Sequence, residues 1–316
     1  MDDALRAAAE TAVEECLGLT ADETVAVVTD DERLPVGEAV YAAATARSDD
    51  VTLLRYPPGS EHGEEPPAPV AAAMREADAF LAPTTYSITH TRARQRATEA
   101  GARGATMPGI TADVMIAGLD ADYEAIAAGC RSIHDQVRDA ETVRVTAPGG
   151  TDVTVRPGDR PWHRDTGLVR EPGSFSNLPA GETFVSPTTA DGTIVVDGTM
   201  RPHGLVEEPV RIEVADGQVV SVDDDGVRGS LEAAAAAADD PDAVYNLAEL
   251  GIGANVGVAD LAGSVLLDEK AAGTVHLAVG DDASIGGDVE APIHTDGVVR
   301  SPTVYADGEA ITLPSP

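Results

Sequence analysis

The chain has 316 residues, 43% of them hydrophobic and only 3% aromatic, with 55 acidic against 21 basic side chains and a net charge of −34. That length allows two domains with cores built from Val, Leu, Ile and Ala. The charge repels nucleic acid and anionic membranes and excludes both as partners.

No apolar run is long enough to span a bilayer, and no basic, apolar signal segment is present, so the expected location is cytoplasmic. The acids are spread in pairs such as Asp30-Asp31, Asp49-Asp50 and Asp239-Asp240, a surface suited to high salt, where ions screen self-repulsion. All basic residues but Lys270 are arginine. Cys16 and Cys130 fall in helix-like segments without a Cys-x-x-Cys pair and read as buried thiols.

Residues 2–17 read as an amphipathic helix. Thr24–Asp30 is a β-branched strand, followed by a helix near Val36–Arg47 and a strand at Val51–Tyr56. A Pro- and Gly-rich loop over 57–68 precedes a helix at Pro69–Glu76 and a strand at Ala79–Ala82. A helix starting near Thr89 and an apolar segment at Ala105–Met107 continue the alternation. This pattern predicts a doubly wound, Rossmann-like parallel sheet. No Gly-x-Gly-x-x-Gly follows the first strand, where Asp30-Asp31-Glu32 stands instead, so a nucleotide cofactor is not expected.

The segment Thr84–Arg96 follows a strand and carries Arg92, Arg94 and Arg96. Ligands of doubly wound sheets bind at such strand ends, so Ser87, His90 and Arg92 are candidates for holding a substrate carboxylate. The same residues also fit a solvated helix face pairing with surface acids.

Residues 119–138 read as a linking helix, and a boundary near 140 separates domain 1–140 from domain 141–316. Beyond it short strands dominate, an α+β pattern. Thr142–Pro148 and Asp152–Pro157 form a hairpin across Gly149-Gly150. Strands follow at Thr183–Val185, Gly192–Asp197, Val210–Val214 and Val219–Val222, with helices at Ser230–Ala238 and Val258–Lys270.

Within this half, His294-Thr295-Asp296 would project an imidazole and a carboxylate from one strand face. In Thr274–Gly280, Val275, Leu277 and Val279 form an apolar face. The other face is small except for His276, which leaves space around its ring. Glu249 lies between Leu247-Ala248 and Leu250-Gly251-Ile252-Gly253, and an acid in apolar surroundings needs a cation or a proton. With Glu182 upstream, the set is imidazole and carboxylate without thiolate, pointing to Zn, Mn, Co or Fe(II). Taken singly, each residue also fits an ordinary structural or surface role.

In that order, Asn177-Leu-Pro-Ala-Gly-Glu182, Glu249-Leu-Gly-Ile-Gly253, Thr274–Gly280 and His294-Thr-Asp296 resemble the M29 metallo-aminopeptidase (aminopeptidase T) family. The resemblance implies a two-metal centre of Zn, Co or Mn held by Glu182, Glu249, His276, His294 and Asp296. It also implies hydrolysis of small peptides by a metal-activated water, with Glu182 or Glu249 as catalytic proton relay, and a homodimer. The family's tyrosine after the first histidine is replaced here by Asp281-Asp282-Ala283-Ser284.

The alternative within the same fold resembles 2,5-dihydroxypyridine dioxygenase. It implies a single Fe(II) on His276, His294 and Asp296 and a small acidic ring substrate.

Overall fold

The computed structural model describes residues 2–315. In chain order the first strands are β1 (Val25–Asp30), β2 (Val51–Tyr56), β3 (Ala79–Thr84), β4 (Arg103–Pro108), β5 (Val143–Thr146), β6 (Asp152–Arg156), β7 (His163–Asp165), β8 (Phe175–Asn177), β9 (Glu182–Val185) and β10 (Thr189–Val196). Then come β11 (Thr199–Met200), β12 (Gly204–Leu205), β13 (Val210–Ala215), β14 (Gln218–Val222), β15 (Leu247–Gly253), β16 (Val275–Gly280), β17 (His294–Val299), β18 (Thr303–Ala306) and β19 (Glu309–Ala310). The α-helices are α1 (Asp3–Glu10), α2 (Leu34–Thr45), α3 (Ala68–Glu76), α4 (Arg92–Glu99), α5 (Ala112–Leu119), α6 (Tyr123–Val137), α7 (Asp225–Ala237) and α8 (Val265–Asp268). Among the described residues no helix is long and apolar enough to cross a membrane.

Packing divides the chain into two compact units. One comprises the residues up to Ala127 with Asp165–Ala180; the other comprises Ala128–Arg164 and the residues from Gly181 onward. Composition suggests a single boundary near 140. In the fold, the segment carrying β8 belongs with the amino-terminal unit.

The amino-terminal unit is built on a parallel sheet of order β2-β1-β3-β4-β8. β1 and β3 are buried along their whole length because helices cover both faces, which is why their apolar residues run on without alternation. Val28, Met74, Phe80, Ala82 and Ile88 form its core, and Phe175 of β8 packs against them, stacked on Phe80. The helix expected from Thr89 starts at Arg92, because the Thr91 hydroxyl caps it by accepting from Arg94 N. The first helix is α1 followed by a π-helical turn over Thr11–Cys16. Cys16 and Cys130 are both buried, and burial pushes the Cys16 thiol well above its usual pKa.

The carboxy-terminal unit holds two sheets of antiparallel pairings, β14-β13-β10-β6-β5-β18-β19 and β12-β11-β17-β16-β15-β9-β7. The expected hairpin β5–β6 forms. β13 and β14 meet at Asp216 and Gly217, both at positive φ, as a two-residue hairpin turn requires. α7 begins earlier than Ser230, since the Asp224 carboxylate caps it by accepting from Val227 N at 2.8 Å. The helix expected over Val258–Lys270 shrinks to α8. Asp268 is buried and takes the amides of Ala262 and Gly263, both at 2.8 Å, which folds the preceding segment back as a loop.

A charge pair between buried Arg103 and partly exposed Glu23 braces the amino-terminal unit. Arg103, 6% exposed, donates to both oxygens of Glu23 at 2.6 and 2.8 Å and to the Leu17 carbonyl. The Arg103 hydrogen bonds pull the Glu23 carboxyl down to about 2, against a burial effect that would raise it. A depressed acid stabilises the fold above its unfolded pKa and loses that contribution as pH falls through the folded value. We expect Glu23→Gln to lower stability at pH 7 by about 1–3 kcal/mol, with the gap to the parent closing between pH 4.5 and 2 in denaturant titrations.

Candidate metal centre

Four neighbouring strands, β17, β16, β15 and β9, carry the predicted ligands on one sheet face. The register sets Glu249 opposite Ala278 and Ala278 opposite Asp296, Gly251 opposite His276, Gly253 opposite Glu182, and Gly280 opposite His294. Ligands therefore alternate with Gly or Ala, and each long side chain lies over a residue with almost none. At Gly251 the need is steric: a Cβ there would sit 2.0 Å from the His276 ring. The small-residue face around His276 in the sequence is this cavity floor.

His276 is 1% exposed, Glu182 5% and Glu249 6%, whereas the His294 side chain is 31% exposed and marks the open end. His276 Nδ1–H donates to the Glu269 carbonyl at 3.0 Å, and His294 Nδ1–H donates to the Asp281 carbonyl at 2.7 Å. A backbone carbonyl can only accept, so in each neutral imidazole the proton is fixed outward and the Nε2 lone pair faces inward. His276 Nε2 lies 3.2 Å from Glu182 Oε2 and 3.2 Å from Glu249 Oε1. His294 Nε2 lies 3.4 Å from Glu249 Oε2 and 3.5 Å from Asp296 Oδ1.

Among the described residues, two sets of ligand atoms are close enough to hold a cation: Glu182, Glu249 and His276, and Glu249, His294 and Asp296. Glu249 belongs to both. One buried oxygen, Glu182 Oε2, has no hydrogen-bond partner, although His276 Nε2 lies 3.2 Å away. An orphaned buried carboxylate oxygen facing an inward imidazole nitrogen fits a cation.

Two residues outside the predicted ligand set complete the cluster. Lys270, 5% exposed, places its Nζ 2.5 Å from Glu182 Oε1 and 2.8 Å from Glu269 Oε1. The available signal was compositional: the one lysine lies six residues before His276. Both residues follow α8, where a longer surface helix was expected.

Burial raises Glu182 to about 7, with the charges of Lys270 and His276 opposing it. Burial also raises Glu269. Against the same burial effect, hydrogen bonds from His276 and His294 draw Glu249 down to about 2, and the charge and hydrogen bond of His294 lower Asp296. Burial would lower both histidines. For His276 the Glu249 hydrogen bond and the Glu182 charge prevail and lift it to about 9; Asp296 and Glu249 lift His294 well above its usual value. Protons on the imidazoles thus neutralise the carboxylates.

The proposed substrate contacts lie in the amino-terminal unit. Ser87 Oγ donates to Thr89 Oγ1 at 2.9 Å, in a hydroxyl chain with Thr106 and Asn177. His90 and Arg92 are exposed. The first-turn amides of α4, from Arg92 and Ala93, donate to Glu65 at 2.6 and 3.1 Å, so a protein carboxylate already takes them. Arg94 lies over the Phe175 ring at 4.5 Å and donates to the Thr89 carbonyl.

A family model described as NicX, 2,5-dihydroxypyridine 5,6-dioxygenase, matches residues 4–314. The chain belongs to this family. A curated relative, the 2,5-dihydroxypyridine 5,6-dioxygenase of Pseudomonas putida KT2440, is 25% identical over 195 residues. That match covers 56% of this chain and 54% of the relative, so it spans about half the length of either protein. Two solved structures share the fold of this NicX-family member, each at 19% identity. The 2,5-dihydroxypyridine dioxygenase of Pseudomonas putida KT2440 has a TM-score of 0.77, covering 98% of this chain and 96% of that one. AmpT from Thermus thermophilus has a TM-score of 0.68, covering 98% and 97%.

Two outcomes follow for the metal-free protein. Groups whose pKa is raised on folding stabilise below the unfolded value and lose that contribution as pH rises through the folded value. Glu182 acts this way from 4.5 to 7 and His276 from 6.5 to 9. Stability measured by denaturant should fall on the order of 3 kcal/mol between pH 6 and 9. Metal binding should release protons, seen by calorimetry in buffers of different ionisation enthalpy, and should tighten up to about tenfold per pH unit for each proton displaced.

Gly251→Ala should push the His276 ring aside. The expected cost is about 1–3 kcal/mol in stability and about 10–100-fold in metal affinity, read by thermal melts and metal titration.

Proposed function

We propose that the protein is a mononuclear non-haem Fe(II) dioxygenase that opens a small hydroxylated, pyridine-like ring, with His276 from one ligand set and His294 and Asp296 from the other closing on the ion across the shared Glu249. The observation that carries this reading is the pair of imidazoles fixed Nε2-inward on β16 and β17, both facing Glu249 and one of them, His294, beside Asp296, in a chain of the NicX family. Two histidines and one carboxylate with an open side are the donor set of such oxygenases. Bound there, Fe(II) would supply the activation of dioxygen, both atoms of which enter the opened ring.

The protein's own groups have distinct parts in this scheme. The exposed edge of His294 marks the side from which a substrate reaches the centre. Glu249, ionised between the two imidazoles, is placed to accept a hydrogen bond from a ring hydroxyl at Oε2 and so orient it. The near-complete burial of Glu182, Glu249 and His276 keeps water from that end of the site.

A second reading, a two-metal aminopeptidase, is favoured by one observation: Glu249 turns one oxygen toward each ligand set, as a carboxylate bridging two ions does. In that case the ions would activate a water against a peptide carbonyl, with Glu182 or Glu249 relaying the proton.

Protein purified at high salt without chelator, matching its acidic surface, separates the two. We expect about one iron per chain and oxygen uptake with 2,5-dihydroxypyridine, reduced at least about 100-fold in His294→Ala. Two ions per chain, no oxygen uptake, and a leucine-anilide hydrolysis abolished by Glu249→Gln would establish the peptidase instead.

A further inference from the structure

Lys270 is not part of the dioxygenase scheme, yet the chain's one lysine lies buried inside the ligand cluster. Its ammonium donates to Glu182 Oε1 at 2.5 Å and approaches Glu269 Oε1 at 2.8 Å. Both acids stand outside His276, His294 and Asp296, the residues assigned to a single ion. Glu182 belongs to the first potential cation group, Glu182, Glu249 and His276, and not to the second.

The side-chain type is informative. Every other basic residue in the sequence is arginine, the flat, forked cation suited to carboxylates at a surface. At this position the chain carries a compact point charge with donors in three directions. A cation of that shape can stand among converging carboxylates much as a metal ion does, and a guanidinium cannot.

We propose that Lys270 is a built-in substitute for a second metal ion. Its ammonium occupies Glu182 and Glu269, repels a divalent cation from the group Glu182, Glu249 and His276, and so fixes the centre at one ion. The proposal rests on the single-ion reading above and makes Lys270 a positioning residue that sets metal count and so decides between the oxygenase and the peptidase chemistries available to this sheet face. No covalent step involves it.

The test is metal stoichiometry of the full chain, by elemental analysis after equilibration with Fe(II) under anaerobic conditions. Mn(II) loading read by electron paramagnetic resonance gives a second readout, because two adjacent Mn(II) ions couple and lose the resolved hyperfine pattern of an isolated one. The parent should hold one ion with the isolated pattern, and Lys270→Met should hold two with the coupled pattern. Should Lys270→Met fail to fold, the charge-balanced pair Lys270→Met with Glu269→Gln removes the ammonium along with one of its carboxylates, and it too should take two ions. A parent with one ion and folded variants that still bind only one would overturn the role of Lys270 and leave the single-ion reading standing. A parent that already binds two would overturn both.

Discussion

Four carboxylates, Glu182, Glu249, Glu269 and Asp296, crowd one face of a sheet, and Glu182 and Glu249 are almost wholly removed from water. Burying a carboxylate costs several kcal/mol unless a cation or proton meets it, so the carboxy-terminal unit depends on how this charge is neutralised. Lys270 accounts for part of it. The remainder falls to two imidazoles whose Nδ1 protons are tied to backbone carbonyls, which leaves Nε2 to carry either a proton or a metal ion. The same geometry therefore serves the metal-free and the metal-loaded protein.

The architecture delivers this cluster through strand adjacency. Glu182, Glu249, His276, His294 and Asp296 come from four strands widely spaced in sequence but neighbours in the sheet. Gly251 leaves room for the His276 ring, and Gly253 and Gly280 admit the backbone of Ala271 and Ile293. An antiparallel sheet usually sends polar side chains from one face into water. Here that face is covered, and the polar residues on it converge instead of dispersing. Loops finish the site: Glu269 and Asp281 contribute backbone carbonyls that could not have been supplied by the strands themselves.

The chain belongs to a family described by a 2,5-dihydroxypyridine 5,6-dioxygenase and shares its fold with AmpT. A shared scaffold does not choose between their chemistries. In the scheme proposed above, the choice between one ion and two falls to a few side chains near Glu182 and Glu249, Lys270 among them. The amino-terminal unit shows a related economy. The arginines after Ser87 look like a ready anion site in sequence, yet Arg94 covers an aromatic ring and Glu65 occupies the helix amides.

The sequence by itself determined the parallel sheet of the first half, because fully buried strands read as unbroken apolar runs and their helices as 3.6-residue periods. It also determined the hairpins, whose Gly turns are local, and the five ligand candidates, since acids and imidazoles among glycines and small apolar residues stand out within a few positions. Only the tertiary structure decided that β8 joins the parallel sheet and that the stretch before Lys270 is a loop pinned by Asp268. It alone revealed that Lys270 and Glu269 stand among the ligands. Those outcomes depend on contacts between residues far apart in the chain, where a capping carboxylate or a neighbouring strand outweighs local propensity, and no nearby pattern records them.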